Sequence, residues 1–319
     1  MNDGKERGDL VFSGILNVYK EAGYTSNDVI ARLRGILRQR KIGHAGTLDP
    51  AAVGVLPTLL GNATKISEYM MDHEKTYEAV LFLGVRTDTQ DMTGQILSSS
   101  GVNAQEAEVR EAVLSFLGGY DQVPPMYSAK QKDGKRLYDL AREGRVVDRE
   151  AVRVKIPEIE ILEISLPRVH FRVKCSKGTY IRTLCADIGE KLFCGGAMES
   201  LTRTRVGDFY IEDSLKLDEI ERLRDLGELE GRIVPIEEMF LDCLRTRTIP
   251  EADRKLLNGN PLTMHELSLP RRGGGDMIRV CGSDGEFQAV YQLDTRRNLY
   301  KPYRILSYRG DLQDEPSKV

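Results

Sequence analysis

The residues with the clearest chemical potential lie in Gly43 to Gly54, GHAGTLDPAAVG, where Asp49 follows a histidine and two glycines and precedes Pro50. The glycines permit tight or left-handed backbone, Asp49 suits a helix N-cap and Pro50 the first helical position. That spacing predicts a loop entering a short helix that ends before Pro57. A carboxylate there can also do chemistry, as a base or as a nucleophile. The stretch has neither a Gly-Lys-Ser/Thr ending nor a G-x-G-x-x-G, so it is not a phosphate-binding loop. His44, His73, His170 and His265 are too far apart in sequence to show metal-ligand spacing. Asp88 and Asp91 could be nominated as the second acid that a carboxylate glycosidase needs, but nothing supports that pairing.

The elements that must position Asp49 are mixed in type. Residues 25–40 read as a helix started by Ser26 or Asn27, with Val29, Ile30, Leu33, Ile36 and Leu37 on one stripe. A second helix is expected from Ala104 to Leu117, with Asn103 and Glu106 at capping-box spacing and Gly118-Gly119 as its stop. Thr76 to Val85, Val152 to Ile164 and Val169 to Cys175 are strand-like. Gln122 to Tyr138, with Pro124-Pro125, reads as a long exposed insertion leading into a short helix, Lys135 to Arg142. An acidic helix candidate spans Ser214 to Asp225. Beyond Arg245 come a short helix, Glu251 to Leu257, a glycine-rich turn at Gly273 to Gly275, and strands at Met277 to Cys281 and Phe287 to Leu293. Without a βαβ rhythm this favours an α+β fold followed by a small β-rich domain. The expected division is 1–244, with an insertion at about 122–150, and 245–319.

Length and composition agree with that layout. The 319 residues exceed the usual size of one domain, and 40% hydrophobic with 30% charged residues fits a globular chain. The run Leu10 to Val18 lacks a signal-peptide layout, and no window reaches membrane-spanning length. The five cysteines are widely spaced without a Cys-x-x-Cys pair, so reduced cytoplasmic thiols are expected, with neither disulfides nor zinc. The net charge of -3 hides segregation. Arg32, Arg34, Arg38, Arg40 and Lys41 form one run without an acid. Lys130, Lys132, Lys135, Arg136, Arg142 and Arg145 form another, while acids gather in Glu212 to Glu230. One basic face could meet nucleic acid; solvated helix faces explain the same runs equally well.

Taken with further stretches, GHAGTLDP resembles the active-site motif of the TruB family of tRNA pseudouridine synthases. The likeness continues through VGVLPTLLGNATKISEY at Val53 to Tyr69, KTYEA at Lys75 to Ala79 and GVRTDTQDMTG at Gly84 to Gly94. It extends through QVPPMYSAKQKDGKRLYDLAREG at Gln122 to Gly144 and CSKGTYIRTLCADIGEKLFCGGAMESLTRTRVG at Cys175 to Gly207. These blocks stand in family order. The resemblance implies a mixed, largely antiparallel sheet with flanking helices, the pseudouridine synthase fold, and a PUA-like C-terminal domain, the latter on weaker grounds in LLNGNPL and its following strands.

It also implies roles. Asp49 matches the catalytic aspartate, Arg182 the arginine that pairs with it, and Tyr77 the tyrosine that stacks on the target base and has been proposed to handle a proton. Tyr180 and Leu201 match pocket residues. His44 matches a histidine next to the flipped uridine, assigned to RNA positioning. Lys20 is placed with the substrate-binding residues, although Lys20-Glu21-Ala22-Gly23 lacks the family's proline after the lysine. Lys130, Lys132 and Lys135 belong to an insertion that closes on the T stem-loop. The implied partner is tRNA, bound by a monomer that needs no protein partner or membrane, and the implied substrate is uridine 55. No cofactor and no metal are expected, because the reaction breaks the N1–C1′ bond, turns the uracil and rejoins it through C5 without net oxidation. Base attack, ribose attack and a glycal route all remain open. A protein that only grips and folds the T arm is the competing reading; it has no need of a carboxylate in its RNA cleft, where the charge would repel phosphate.

Overall fold

The computed structural model describes residues 11–306, apart from Ala129, Asp133 and residues 270–274, and without the side chains of Lys132 and Arg136. Strand β1 (Gly14–Lys20) leads into helix α1 (Ser26–Leu37), whose buried residues include Val29, Ile30, Leu33 and Leu37. The cap is Thr25, one residue earlier than expected. Its side chain accepts from the Asp28 N–H while the Asp28 carboxylate accepts from the Thr25 N–H. With the cap supplied by Thr25, the Ser26 hydroxyl is left to accept from Leu48 N at 2.9 Å, tying the helix start to the Asp49 loop.

Next come β2 (Ile42–His44), β3 (Val53–Leu60), α2 (Ser67–Met71), β4 (Lys75–Leu83), β5 (Val85–Thr87) and β6 (Ile96–Ser99). Helix α3 (Glu106–Leu114) is shorter than the expected 104–117 and is capped by Gln105 with Glu108, not by Asn103 with Glu106. The insertion runs from β7 (Tyr120–Gln122) through β8 (Gln131–Lys132), β9 (Lys135–Arg136) and α4 (Leu137–Arg142) to β10 (Val152–Val154). The strand expected over Val152 to Ile164 breaks before β11 (Glu158–Ser165), at Pro157, which has no N–H for a sheet ladder. Then follow β12 (Arg168–Cys175), α5 (Ile181–Lys191), β13 (Gly196–Val206), β14 (Phe209–Tyr210), α6 (Leu217–Leu226) and β15 (Ile233–Val234).

Nine of these strands make one sheet ordered β11-β12-β4-β13-β3-β1-β15, with β14 beside β13 and β2 beside β3. Every pairing is antiparallel except β13 with β3. The alternating burial of β4 turns Tyr77, Ala79, Leu81 and Leu83 onto a core shared with Phe171 of β12 and with α3 and α5. Fully burying a side chain such as Phe171 contributes about 1.5–3 kcal/mol. A second cluster packs α1 and α6 on Leu16, Val18, Leu56 and Leu60 of β1 and β3.

The C-terminal part is a five-stranded sheet, β16-β18-β19-β20-β17. It comprises β16 (Leu244–Arg247), β17 (Leu262–Thr263), β18 (Met277–Cys281), β19 (Phe287–Asp294) and β20 (Leu299–Ile305), with helix α7 (Asp253–Leu257) between β16 and β17. The turn expected at Gly273 to Gly275 lies largely outside the described residues. Val290 and Leu306 enter the same buried cluster as Ile15, Val55, Leu59 and Phe240, and the Asn62 amide donates to the Leu306 carbonyl at 3.2 Å. The small sheet is therefore packed onto the back of the large one. Among the described residues no helix is long and apolar enough to cross a membrane.

Candidate active site

Asp49 sits in the connection between β2 and β3, and it does not cap a helix. The Ala52 N–H donates to the Asp49 carbonyl at 3.1 Å, which makes residues 49–52 a β-turn with Asp at the first position and Pro50 at the second. The expected helix is absent because Val53 begins a strand at once, and burying the VGVLPTLL run between neighbours outweighs the local helix-start signal. Pro57, expected beyond a helix end, is inside β3. The β13 neighbour faces residues 53–54 of β3 and β2 faces 58–60, so Pro57 falls where one flank changes partner. Gly54, with φ 107°, permits that approach: a Cβ there would lie 2.2 Å from the Arg203 carbonyl.

The partner of Asp49 comes from 133 residues away. Arg182, the second residue of α5, places Nε 2.9 Å from Oδ2 of Asp49 and Nη2 3.2 Å from Oδ1. The same guanidinium donates to the carbonyls of Thr89 at 3.1 Å and Tyr127 at 3.0 Å. Its Nη1 lies 3.7 Å from Asp91 Oδ2. Such a fork holds both the position and the orientation of the carboxylate. Burial pushes the Asp49 pKa above the usual range, Arg182 pulls it back, and Asp91 adds to the upward push. Asp91 itself accepts from Thr89 Oγ1 and the Thr93 N–H, and Asp88 accepts from the Gln95 N–H. Both carboxylates are thus occupied in shaping the turn after β5.

Tyr77 on β4 is buried in one cluster with Leu48, Leu201 and Ile181, and stands opposite Arg203 in the β4–β13 register. Burial raises its phenol pKa, so the ring is neutral. Leu201 lies two residues along β13, and Tyr180 is the N-cap of α5, two residues before Arg182. His44 ends β2. Burial, then the charge of Arg203, lowers its pKa and favours the uncharged imidazole, whose buried Nδ1 has no hydrogen-bond partner among the described residues. Leu48, Tyr77, Ile181 and Leu201 thus share one cluster beside the Asp49 loop, and Arg182 reaches Asp49 itself.

Lys20 does not stand where a substrate-binding lysine would. It is fully buried at the end of β1 and its Nζ donates to the carbonyls of Glu21, Pro50 and Ala52, the last at 2.6 Å. An ammonium so enclosed braces the Asp49 turn from behind and is not presented to RNA. Burial lowers its pKa to about 8, with Asp49 opposing the shift. Lys130 and Lys135 are exposed in the insertion, as are Arg142 and Arg145, while the Lys132 side chain lies outside the described residues. On the α1 side, Arg34 is spent on the carbonyls of Arg40 and Ile42, leaving Arg32, Arg38 and Arg40 as exposed cations.

Two site residues escaped the sequence reading. Arg203 is only 1% exposed and donates to the carbonyls of Val55 at 2.7 Å, Thr47 at 3.3 Å and Gly46 at 3.1 Å, clamping the loop that carries Asp49. The signal was its place two residues after Leu201 in a strand, on the same inward face. Gln122 carried no signal beyond its position at the root of the insertion. Among the described residues no cluster of three or more His, Cys, Asp or Glu could hold a metal ion.

Comparison with known proteins identifies the family of the chain. The family model described as TruB family pseudouridylate synthase, N-terminal domain, matches residues 34–181, and that for the tRNA pseudouridylate synthase B C-terminal domain matches residues 182–241. The tRNA pseudouridine synthase B of Lachnoclostridium phytofermentans is 46% identical over 304 residues, covering 92% of this chain and 99% of the relative. That of Thermotoga petrophila is 40% identical over 306 residues, covering 93% and 97%. Among solved structures, a Cbf5-Nop10-Gar1 complex matches with a TM-score of 0.70 and 25% identity over 93% of this chain and 85% of the other. An H/ACA RNP bound to a substrate RNA containing 2'-deoxyuridine matches with a TM-score of 0.68 and 22% identity over 96% and 93%, a likeness of fold.

Proposed function

The chain belongs to the TruB family of pseudouridylate synthases, and on that premise we propose that it isomerises uridine 55 in the T loop of tRNA to pseudouridine, with Asp49 as its essential carboxylate. The observation that carries the assignment is a carboxylate whose side chain is 40% exposed, held by a guanidinium that is 7% exposed. Arg182 fixes the oxygens and favours the charged form, while the open side leaves Asp49 free to attack an electrophilic carbon or take a ribose proton. On each route the N1–C1′ bond then breaks with its electron pair leaving on the uracil; the retained base turns, bonds C1′ through C5 and gives up its C5 proton to solvent, N1 takes up a proton, and Asp49 is released.

The base reaches Asp49 only when unstacked, at a cost of a few kcal/mol that is least in a loop. Tyr77 supplies the stacking surface, worth about 1–3 kcal/mol per base. His44 offers an unpaired nitrogen, and Tyr180 and Leu201 close the pocket. Lys130, Lys132 and Lys135, with the exposed cations of α1, supply phosphate contacts that offset the extrusion. We assign the sheet beyond Leu244 as a PUA-like RNA-binding domain, and the protein as a cytoplasmic monomer that acts on tRNA without a protein partner.

The test is tritium release from tRNA carrying 5-tritiated uridine, with no added metal or nucleotide. Wild type is expected to turn over, and Asp49→Asn to bind tRNA without releasing tritium. Equal release by both removes Asp49 from the reaction; binding without release by the wild type favours the tRNA-folding reading.

A further inference from the structure

The root of the insertion and the start of α5 are joined by one buried amide. Gln122, the last residue of β7, is 1% exposed. Its Oε1 accepts from the Tyr180 N–H at 2.8 Å, and its Nε2 donates to the Tyr180 carbonyl at 3.0 Å and to the Tyr120 hydroxyl at 2.6 Å. Tyr180 offers one donor and one acceptor, so the amide fits in a single orientation, with both of its donors used. Helix α5 has no side-chain cap of its own at Tyr180. A residue 58 positions earlier therefore holds the backbone from which Arg182 projects two residues later.

The same segment reaches Arg182 a second time. Five residues after Gln122, the Tyr127 carbonyl accepts from Arg182 Nη2, the nitrogen that also donates to Asp49 Oδ1. Between the two contacts stand Pro124 and Pro125, which fix φ and leave few internal degrees of freedom. The Pro124 carbonyl accepts from Arg149 at the far end of the insertion, and Gln122 pairs with Val152 across β7 and β10. The stretch from Gln122 to Tyr127 is a short strut lying along the N-terminus of α5, with the exposed Lys130 and Lys135 just beyond it.

We propose that Gln122 is a positioning residue for the reaction: it locks the start of α5, and so the reach of Arg182 to Asp49, to the root of the RNA-binding insertion. This rests on the reading of Asp49 as the catalytic carboxylate. The arrangement makes the geometry of the ion pair depend on the seating of the insertion, so that RNA held by the insertion and the carboxylate that acts on it share one reference point. Tyr120 links this amide to the helix body: its hydroxyl accepts from Gln122 Nε2 at 2.6 Å and donates to Asp187 at 2.7 Å further along α5, while both bonds to the Tyr180 backbone come from Gln122.

The experiment compares Gln122→Ala, Gln122→Glu and Tyr120→Phe in single-turnover tritium release at saturating tRNA, with tRNA affinity, pH profile and thermal midpoint measured on each. Gln122→Glu is isosteric, keeps the acceptor for the Tyr180 N–H and loses the donor to its carbonyl, so it reports if the alanine variant does not fold. Both Gln122 variants are expected to lose on the order of 10²-fold in rate, as for a misplaced catalytic group, and to shift the acid limb of the pH profile, with little change in tRNA affinity. Tyr120→Phe removes one of the amide's three partners and leaves both bonds to Tyr180, so it is expected to lower the thermal midpoint with a smaller rate loss than either Gln122 variant. Gln122 variants that turn over at the wild-type rate overturn the proposal, and so does a rate loss that merely follows the loss of stability across all three. Asp49→Asn run alongside separates the two readings: an inactive wild type, or an active Asp49→Asn, refutes the role of Asp49, whereas failure of the Gln122 variants alone refutes the coupling.

Discussion

Replacing Arg182 by lysine keeps a positive charge beside Asp49 and removes the fork. In the wild type Nε and Nη2 meet the two oxygens of Asp49 at 2.9 and 3.2 Å. Two unit charges about 3 Å apart at an effective dielectric near 20 attract by roughly 5 kcal/mol before desolvation is subtracted, and the open side of Asp49 screens this further. A lysine ammonium retains much of that attraction but reaches one carboxylate oxygen well, and loses about 1.5–3 kcal/mol with the second charge-assisted hydrogen bond. At about 1.36 kcal/mol per decade, the expected fall in rate is roughly 10- to 150-fold. Because Arg182 opposes the upward push of burial and Asp91 on the Asp49 pKa, a weaker pair leaves that pKa higher. The acid limb of the rate profile, where Asp49 takes up its proton, moves to higher pH. The assay is single-turnover tritium release across pH at saturating tRNA. An Arg182→Lys variant with the wild-type rate and an unmoved acid limb refutes the ion pair as the device that prepares Asp49.

Arg203→Met leaves the Val55, Thr47 and Gly46 carbonyls without their buried donor and is expected to cost about 3–5 kcal/mol, read by denaturant unfolding; a change below ~1 kcal/mol refutes the clamp. Tyr77→Phe keeps the stacking ring, so tRNA affinity holds, while a rate loss of about 10²-fold or more in single turnover identifies the hydroxyl as a proton handler and an unchanged rate limits Tyr77 to stacking. Lys75, like Lys20, has its pKa lowered by burial from 10.5 to about 8. Below about 8 both states hold the proton and the burial penalty opposes folding in full; between there and 10.5 the unfolded chain binds more protons, so stability rises with pH. Unfolding free energies measured across that window should rise less steeply for Lys75→Met than for wild type, and equal slopes refute the depressed pKa. Alanine at Lys130 and Lys135 should weaken tRNA binding and flatten its dependence on salt by about one unit of slope per lost phosphate contact, whereas an unchanged slope places the insertion away from phosphate.

What could be read from the chain alone was what is written in contiguous residues. The stripe of α1, the apolar run of β4, the alternation of β12 and the segregated basic runs each follow from a local period or composition, and GHAGTLDP with its companion blocks pointed to Asp49, Tyr77 and Arg182. Helix starts were displaced by a residue or more, at Thr25 and Gln105, because several neighbouring side chains can cap and packing chooses among them. The helix expected after Asp49 was lost to a β-turn, because burial of Val53 to Leu60 between strands decides over a cap and a proline. Lys20, placed with the substrate-binding residues by the resemblance, is fully buried. Only the fold brings the Pro50 and Ala52 carbonyls around its ammonium. Arg203 and Gln122 act on Gly46, Thr47 and Tyr180 across long stretches of chain, and no period or spacing records such a contact. The sequence by itself determined which groups could do the chemistry; the tertiary structure decided which of them meet, because hydrogen bonds and ion pairs depend on distance and direction in space and not on separation along the chain.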